Sequence, residues 1–138
     1  MTHYGIEYIS VFGLPPVPFV ELAAQLGCSH ISTGLSSFAF GVCDYPSFSL
    51  CEDDNLRREM VAAMRDTGIS ISLGEGMTVR PDTDVRNYAS DLDIFAELGV
   101  TRVNTVSMDP DRIRSFDQFA ELAADLPPPS GPIGLLVD

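Results

Sequence analysis

One unit is written along this chain four times: a β-branched or aromatic run, a loop, a helix with apolar residues at three- and four-residue spacing, and a glycine. The predicted β runs are Gly5–Gly13, Cys28–Leu35, Ile69–Met77 and Val100–Met108, and Ile133–Val137 begins a fifth. Glycines 27, 68 and 99 stand where each helix hands over to the next strand. Alternation of this kind leads to parallel strands joined by right-handed crossover helices.

The helices are predicted from their stripes. Phe19, Leu22, Ala23 and Leu26 follow Pro15-Pro16, and Pro fits a first helical turn. Leu56, Met60, Ala63 and Met64 form the second stripe, with Asp53 or Asp54 as its cap. Val85, Tyr88, Ala89, Leu92, Phe95 and Ala96 form the third, capped by Thr83 or Asp82. Ser115-Phe116-Asp117-Gln118 reads as a capping box opening the fourth, which would bury Phe116, Phe119, Ala120 and Ala123. A closed eight-stranded barrel of such units needs about 250 residues, and this chain has 138. The expectation is an α/β fold, a partial (β/α)8 barrel. Residues 1–126 would make four βα units, and 127–138 a proline-rich tail carrying the short fifth strand. Such a half-barrel would leave strand edges and an apolar sheet face open, which a second copy could cover as a homodimer. A flavodoxin-like five-stranded domain fits the same length, and strand order separates the two.

Charge removes several classes of function. Twenty acidic against eight basic residues give a net charge of −12, which opposes polyphosphate and anionic lipid partners. Neither nucleic acid nor membrane is an expected partner. All the bases are arginine, so no lysine Schiff base or P-loop lysine exists. With no export leader or long apolar run, a soluble, cytoplasmic protein is expected. Cysteines 28, 43 and 51 lack metal-type spacing and are expected as free thiols.

The runs Tyr8-Ile9-Ser10-Val11-Phe12-Gly13, Ile69-Ser70-Ile71-Ser72-Leu73-Gly74-Glu75-Gly76 and Val103-Asn104-Thr105-Val106-Ser107-Met108 resemble the sugar phosphate isomerase/epimerase group, the xylose-isomerase-like barrels. The likeness covers residues 4 to 125. It implies an isomerase or epimerase type of activity on a small polyol, sugar or keto acid. It also implies, in full-length relatives, a divalent metal held by Glu, Asp, His and Glu at the ends of later strands, beginning near the fifth. There this chain has Leu135-Leu136-Val137-Asp138. Related DNA-repair endonucleases place zinc-binding histidines at the ends of strands three and four, where Glu75 and Ser107 stand here. No metal ligand is therefore carried over, and no cofactor is expected in this chain. As it stands it would be incomplete and inactive, or a non-catalytic half-barrel fragment that self-associates.

Barrels act at the C-terminal ends of their strands. Those ends offer Phe12, Thr33, Glu75, Arg80, Ser107 and Asp109. Glu75 between two glycines is the candidate catalytic residue, a base or a ligand for sugar hydroxyls; the alternative is a solvated turn acid. Asp109 either caps the next turn or lines a pocket. Arg80 either meets a substrate anion or neutralises Asp82 or Asp84. Thr33, Ser107 and Phe12 would be pocket walls. His30 is expected to be structural and His3 part of a loose terminus. Phe38, Phe40, Tyr45 and Phe48 form either an apolar lid or a satellite core.

Overall fold

The computed structural model describes residues 2–37, 43–124 and 134–137, the last of these as backbone. The strands are β1 (Gly5–Ile6), β2 (His30–Thr33), β3 (Ser70–Val79), β4 (Arg102–Ser107) and β5 (Gly134–Val137). The helices are α1 (Pro16–Gln25), α2 (Asp54–Thr67), α3 (Ala89–Glu97) and α4 (Arg112–Ala124). The strand order is β1-β2-β3-β4-β5, with β1/β2, β3/β4 and β4/β5 parallel. Strictly sequential parallel order is the order of a barrel sheet. A flavodoxin-like domain would reverse direction after its first strand, so that alternative is overturned. The aromatic lid falls partly, and the proline-rich linker wholly, outside the described residues. The chain divides within β3 into two compact units, Met1–Ser72 and Leu73–Asp138.

In the first unit the expected strand over Gly5–Gly13 is only two residues long. A 3₁₀ turn over Tyr8–Val11 follows it. The Tyr8 N–H donates to Ser32 Oγ (2.8 Å) and its hydroxyl donates to the Ser36 carbonyl, while Gly34 leaves room for the ring. These bonds hold residues 8–11 against the end of β2 instead of in the ladder. α1 buries Phe19, Val20 and Ala23, whereas Leu26, expected inside, lies past the helix end and is exposed. α2 begins as anticipated, with the Asp53 carboxylate accepting from the Leu56 N–H (2.9 Å), and it buries Met60 and Met64. Gly68 ends it at φ +77°, a conformation other residues resist.

In the second unit, Asp84 rather than Thr83 or Asp82 opens the third helical segment, accepting from the Arg86 N–H (3.1 Å). A 3₁₀ turn over Val85–Tyr88 leads into α3, which buries Leu92 and Phe95. Tyr88 turns its phenol to the backbone of Thr78, donating to its carbonyl (2.7 Å) and accepting from its N–H (3.0 Å). One hydroxyl thereby satisfies both backbone groups of Thr78. α4 starts three residues before the expected capping box, with Asp111 accepting from the Ile113 and Arg114 N–H groups. The stripe that faces inward also differs from the expected one. Ser115, Gln118 and Leu122 are buried, and Phe116 is exposed.

Candidate functional site

β3 decides where the candidate acid stands. It runs to Val79, past the expected end at Met77 and straight through Gly74-Glu75-Gly76. Its register against β4 slips by one residue: Gly74 pairs with Val103 and Met77 with Thr105, so Glu75 and Gly76 together oppose Asn104. This is a β-bulge, and Gly76 takes it at φ +104°. The glycines that look like a strand-terminal loop instead let the strand bulge and resume. Glu75 consequently lies inside the strand, short of its C-terminal mouth, and is half-buried.

Facing follows from the register. Val103, Thr105 and Ser107 point to the helix side, where Ser107 Oγ meets Ser115 Oγ of α4 (2.9 Å). Alternation puts Asn104 and Val106 on the other face, together with Thr78 and Glu75. Glu75, Thr78 and Asn104 give that face polar groups, beside Val106 and, by the same alternation, Leu73. Asn104 Oδ1 is buried there without a hydrogen-bond partner. A carboxylate and a carboxamide at one register level offer both acceptors and donors to neighbouring hydroxyls.

The mouth of β3 and β4 gathers three other candidates. Val79 pairs with Ser107, and the Met108 N–H donates to the Val79 carbonyl (2.8 Å). Arg80 follows directly. Its N–H donates to Thr83 Oγ1 and its carbonyl accepts from Gln118 Nε2. Asp84 pairs with Arg86, so Arg80 is not its counter-ion. Ser107 Oγ also accepts from the Asp109 N–H (3.3 Å). Asp109 accepts from the Asp111 N–H (2.9 Å) and takes a two-pronged bond from Arg114, at 2.5 Å from Nε and 2.7 Å from Nη2. Its side chain is 0% exposed although it lies at the surface, because these groups cover it. The capping alternative describes Asp109: it locks the turn into α4.

That lock has a pH signature. The Arg114 hydrogen bonds hold the Asp109 carboxyl below its ordinary value of 3.8, and Arg114 is raised in turn. A folded pKa below the unfolded one stabilises the native state above the unfolded value. The contribution disappears as pH falls through the depressed value. Asp109→Asn is therefore expected to flatten the acid limb of stability. Urea midpoints measured from neutral to strongly acidic pH check this; an unchanged limb would show the pair contributes nothing.

In the first unit, Phe12 sits after the 3₁₀ turn, not at a strand end, and holds φ 52°. It is exposed, at a backbone cost of the kind that non-glycine residues rarely bear. Thr33 does end β2, but it is buried and its hydroxyl donates to the Gly34 carbonyl (3.0 Å). It has no open face to offer as a pocket wall. His30 opens β2, its Nδ1 at 2.8 Å from Ser29 Oγ. Tyr45 is exposed and Phe48 half-buried. An open cleft of about 620 Å³ lies at the start of α2, lined by Ser47, Phe48, Glu52, Asp53, Asn55 and Arg58 among others. Of these, Phe48 was a candidate, as part of the aromatic lid or satellite core. Asp53 is already the helix cap, and the acidic lining makes the cleft a poor anion site. Among the described residues no three His, Cys, Asp or Glu side chains gather where a metal could sit, so the metal of the resembled family finds no donor set there. No helix among them is long and apolar enough to cross a membrane.

No family model and no curated protein matches the chain. Solved structures do. An uncharacterized protein from Parabacteroides distasonis ATCC 8503 superposes with TM-score 0.64 at 11% identity, over 97% of this chain and 52% of that one. A xylose isomerase domain protein from Alicyclobacillus acidocaldarius superposes with TM-score 0.63 at 16% identity, over 96% and 49%. A type I 3-dehydroquinate dehydratase from Clostridium difficile gives 0.56 at 11%, over 88% and 42%. At these identities the likeness is one of fold. The chain spans about half the length of the first two.

Proposed function

We propose that the chain supplies the first βα units of a barrel of the sugar isomerase/epimerase type. Its ligand is a small polyol, sugar or keto acid, met on this sheet face by Glu75. The bulge at Glu75–Gly76 carries this reading. A bulge interrupts a ladder at some cost to pairing, and bulges recur beside active sites because they re-aim a side chain. Here it sets the carboxylate level with Asn104, whose oxygen lacks a partner. The Glu75 side-chain oxygens would accept from a ligand hydroxyl, or take a proton from carbon next to a carbonyl. The carboxamide would orient a neighbouring oxygen. The structural likeness to a xylose isomerase domain protein agrees with this reading, and the polar groups on the face suit a hydroxylated ligand.

Glu75→Gln keeps the shape and removes the charge. Ligand affinity or turnover, measured by calorimetry against a panel of pentoses, hexoses and keto acids, is expected to fall about tenfold or more, the scale of one charged hydrogen bond. Thermal stability should move by no more than about 0.5 kcal/mol. A large loss of stability with binding intact would make Glu75 a structural acid of the bulge and end the proposal.

A further inference from the structure

We propose that His3 and His30 together bind a late first-row divalent cation, of the Ni²⁺ or Zn²⁺ kind, with water completing its shell. This stands apart from the sugar reading. The pair lies at the start of β1 and β2, the end of those strands away from their C-terminal mouth. The two ring centroids are 6.0 Å apart, with the planes at 85°. The strand pairing explains why they meet. Gly5 pairs with His30, and the Tyr4 carbonyl accepts from the N–H groups of Ser29 (2.9 Å) and His30 (3.3 Å), so the two chains stay bonded before β1 begins. Two residues from Gly5, His3 falls on the face that Gly5 and His30 share. A Cβ on Gly5 would lie 3.4 Å from the His30 Cβ, so the glycine keeps the space beside His30 clear.

The hydrogen bonds around His30 suit a metal ligand. Ser29 Oγ donates to the Tyr4 carbonyl (3.4 Å). With its one proton used there, it accepts from His30 Nδ1, 2.8 Å away. The ring proton is then on Nδ1, and Nε2 keeps its lone pair. A histidine that gives one N–H to an oxygen and leaves the other nitrogen open has the usual support of a metal ligand. His30 Nε2 and both ring nitrogens of His3 make no hydrogen bond among the described residues. With metal–nitrogen bonds of about 2.0–2.1 Å, each centroid stands about 3.2 Å from a shared ion, so two centroids can be up to about 6.4 Å apart. A tetrahedral angle brings them to about 5.2 Å. His3 is exposed, and its ring reaches that geometry by turning and closing about 0.8 Å.

Two imidazoles also select the ion. Imidazole suits Zn²⁺, Ni²⁺ and Cu²⁺, whereas Mg²⁺ and Ca²⁺ take oxygen ligands. Among the described residues no third His, Cys, Asp or Glu joins the pair. Water therefore fills the remaining positions, and the affinity is expected to be micromolar, short of a closed four-ligand site. The net charge of −12 draws cations toward the chain.

Calorimetry of the whole chain without an affinity tag, titrated with Ni²⁺, Zn²⁺ and Mg²⁺, tests this. One Ni²⁺ or Zn²⁺ per chain should bind at micromolar concentration, and Mg²⁺ should not. Saturating Ni²⁺ should raise the thermal midpoint, because only the folded chain holds the two rings together. His3→Ala, at an exposed position, should weaken Ni²⁺ binding at least about tenfold and leave the metal-free melt in place. His30→Ala should weaken binding as much. Ser29→Ala should cost about tenfold in affinity by releasing the His30 ring. Cys28→Ser, Cys43→Ser and Cys51→Ser together should leave binding unchanged. No Ni²⁺ or Zn²⁺ binding up to millimolar concentration overturns the proposal. Binding that persists in both His3→Ala and His30→Ala, or that disappears with the cysteines while the fold is intact, overturns it too.

Discussion

Phe95→Ala is expected to remove about 3–5 kcal/mol of stability, the usual cost of emptying an aromatic site in a core. Against a total of about 5–15 kcal/mol for an ordinary domain, that is a large share of what holds the native state. Phe95 is 1% exposed, and its ring fills space that exists only because residue 74 has no side chain. A Cβ built on Gly74 would lie 2.7 Å from the nearest ring carbon. Gly74→Ala is accordingly an overpacking change, expected to cost about 1–3 kcal/mol. The two variants should not add. With the ring gone, the methyl group introduced by Gly74→Ala enters the cavity, and the double variant should be more stable than the sum predicts by on the order of 1 kcal/mol. Urea denaturation of the three variants gives the coupling, and strict additivity would mean that ring and glycine do not confront each other. The contact also bears on the site, because Gly74 is the last regularly paired residue before the bulge that carries Glu75.

Much of the fold was legible in the sequence because the signals are local and repeated. Stripes on α1, α2 and α3 placed their cores, and glycines 27, 68 and 99 marked turns with φ near +75°. The errors fall where a tertiary partner overrode a local signal. Tyr8 has the β-propensity of its neighbours, but its N–H and hydroxyl find Ser32 and Ser36, and the strand gives way to a 3₁₀ turn. At α4 two caps competed. Ser115 opens a plausible capping box, yet Asp111 sits on a turn already locked by Asp109 and Arg114, so the helix starts earlier. Of the expected buried face, Phe116, Ala120 and Ala123 are exposed and Phe119 is half-buried.

The candidate site was legible in type more than in place. Glycines on both sides of Glu75 signal an unusual backbone, but a loop and a bulge look alike in sequence. Only the pairing with β4 tells them apart. Asn104 was invisible as a candidate because it sits mid-strand, and its place level with Glu75 follows from the register slip opposite it. Arg80, Ser107 and Asp109 lie just at or past the ends of β3 and β4. What no pattern foretold is that Asp109 is already engaged by Arg114.

Arg57→Met is expected to cost about 3 kcal/mol, the sum of charged hydrogen bonds lost and a buried carbonyl left unpaired. In a helical stripe Arg57 counts as polar surface, yet it is 8% exposed. Its Nη1 donates to the carbonyls of Leu50 (2.6 Å) and Cys51 (3.2 Å), and its Nη2 pairs with Asp54. One guanidinium thus ties the first turn of α2 to the chain that enters it, around Leu50, which is itself fully buried. Methionine keeps the apolar stem, so the loss reports the polar head and not packing. Arg57→Lys should fall between, since an ammonium cannot reproduce the planar fork that reaches both sides at once. Arg58→Met, on the exposed neighbour, should stay within about 0.5 kcal/mol. Urea midpoints rank the variants, and amide exchange over residues 47–57 should quicken in Arg57→Met before the rest of the first unit. Equal effects at Arg57 and Arg58 would mean that the buried guanidinium is not what fastens this segment, and the cleft at the start of α2 would then have no rigid wall.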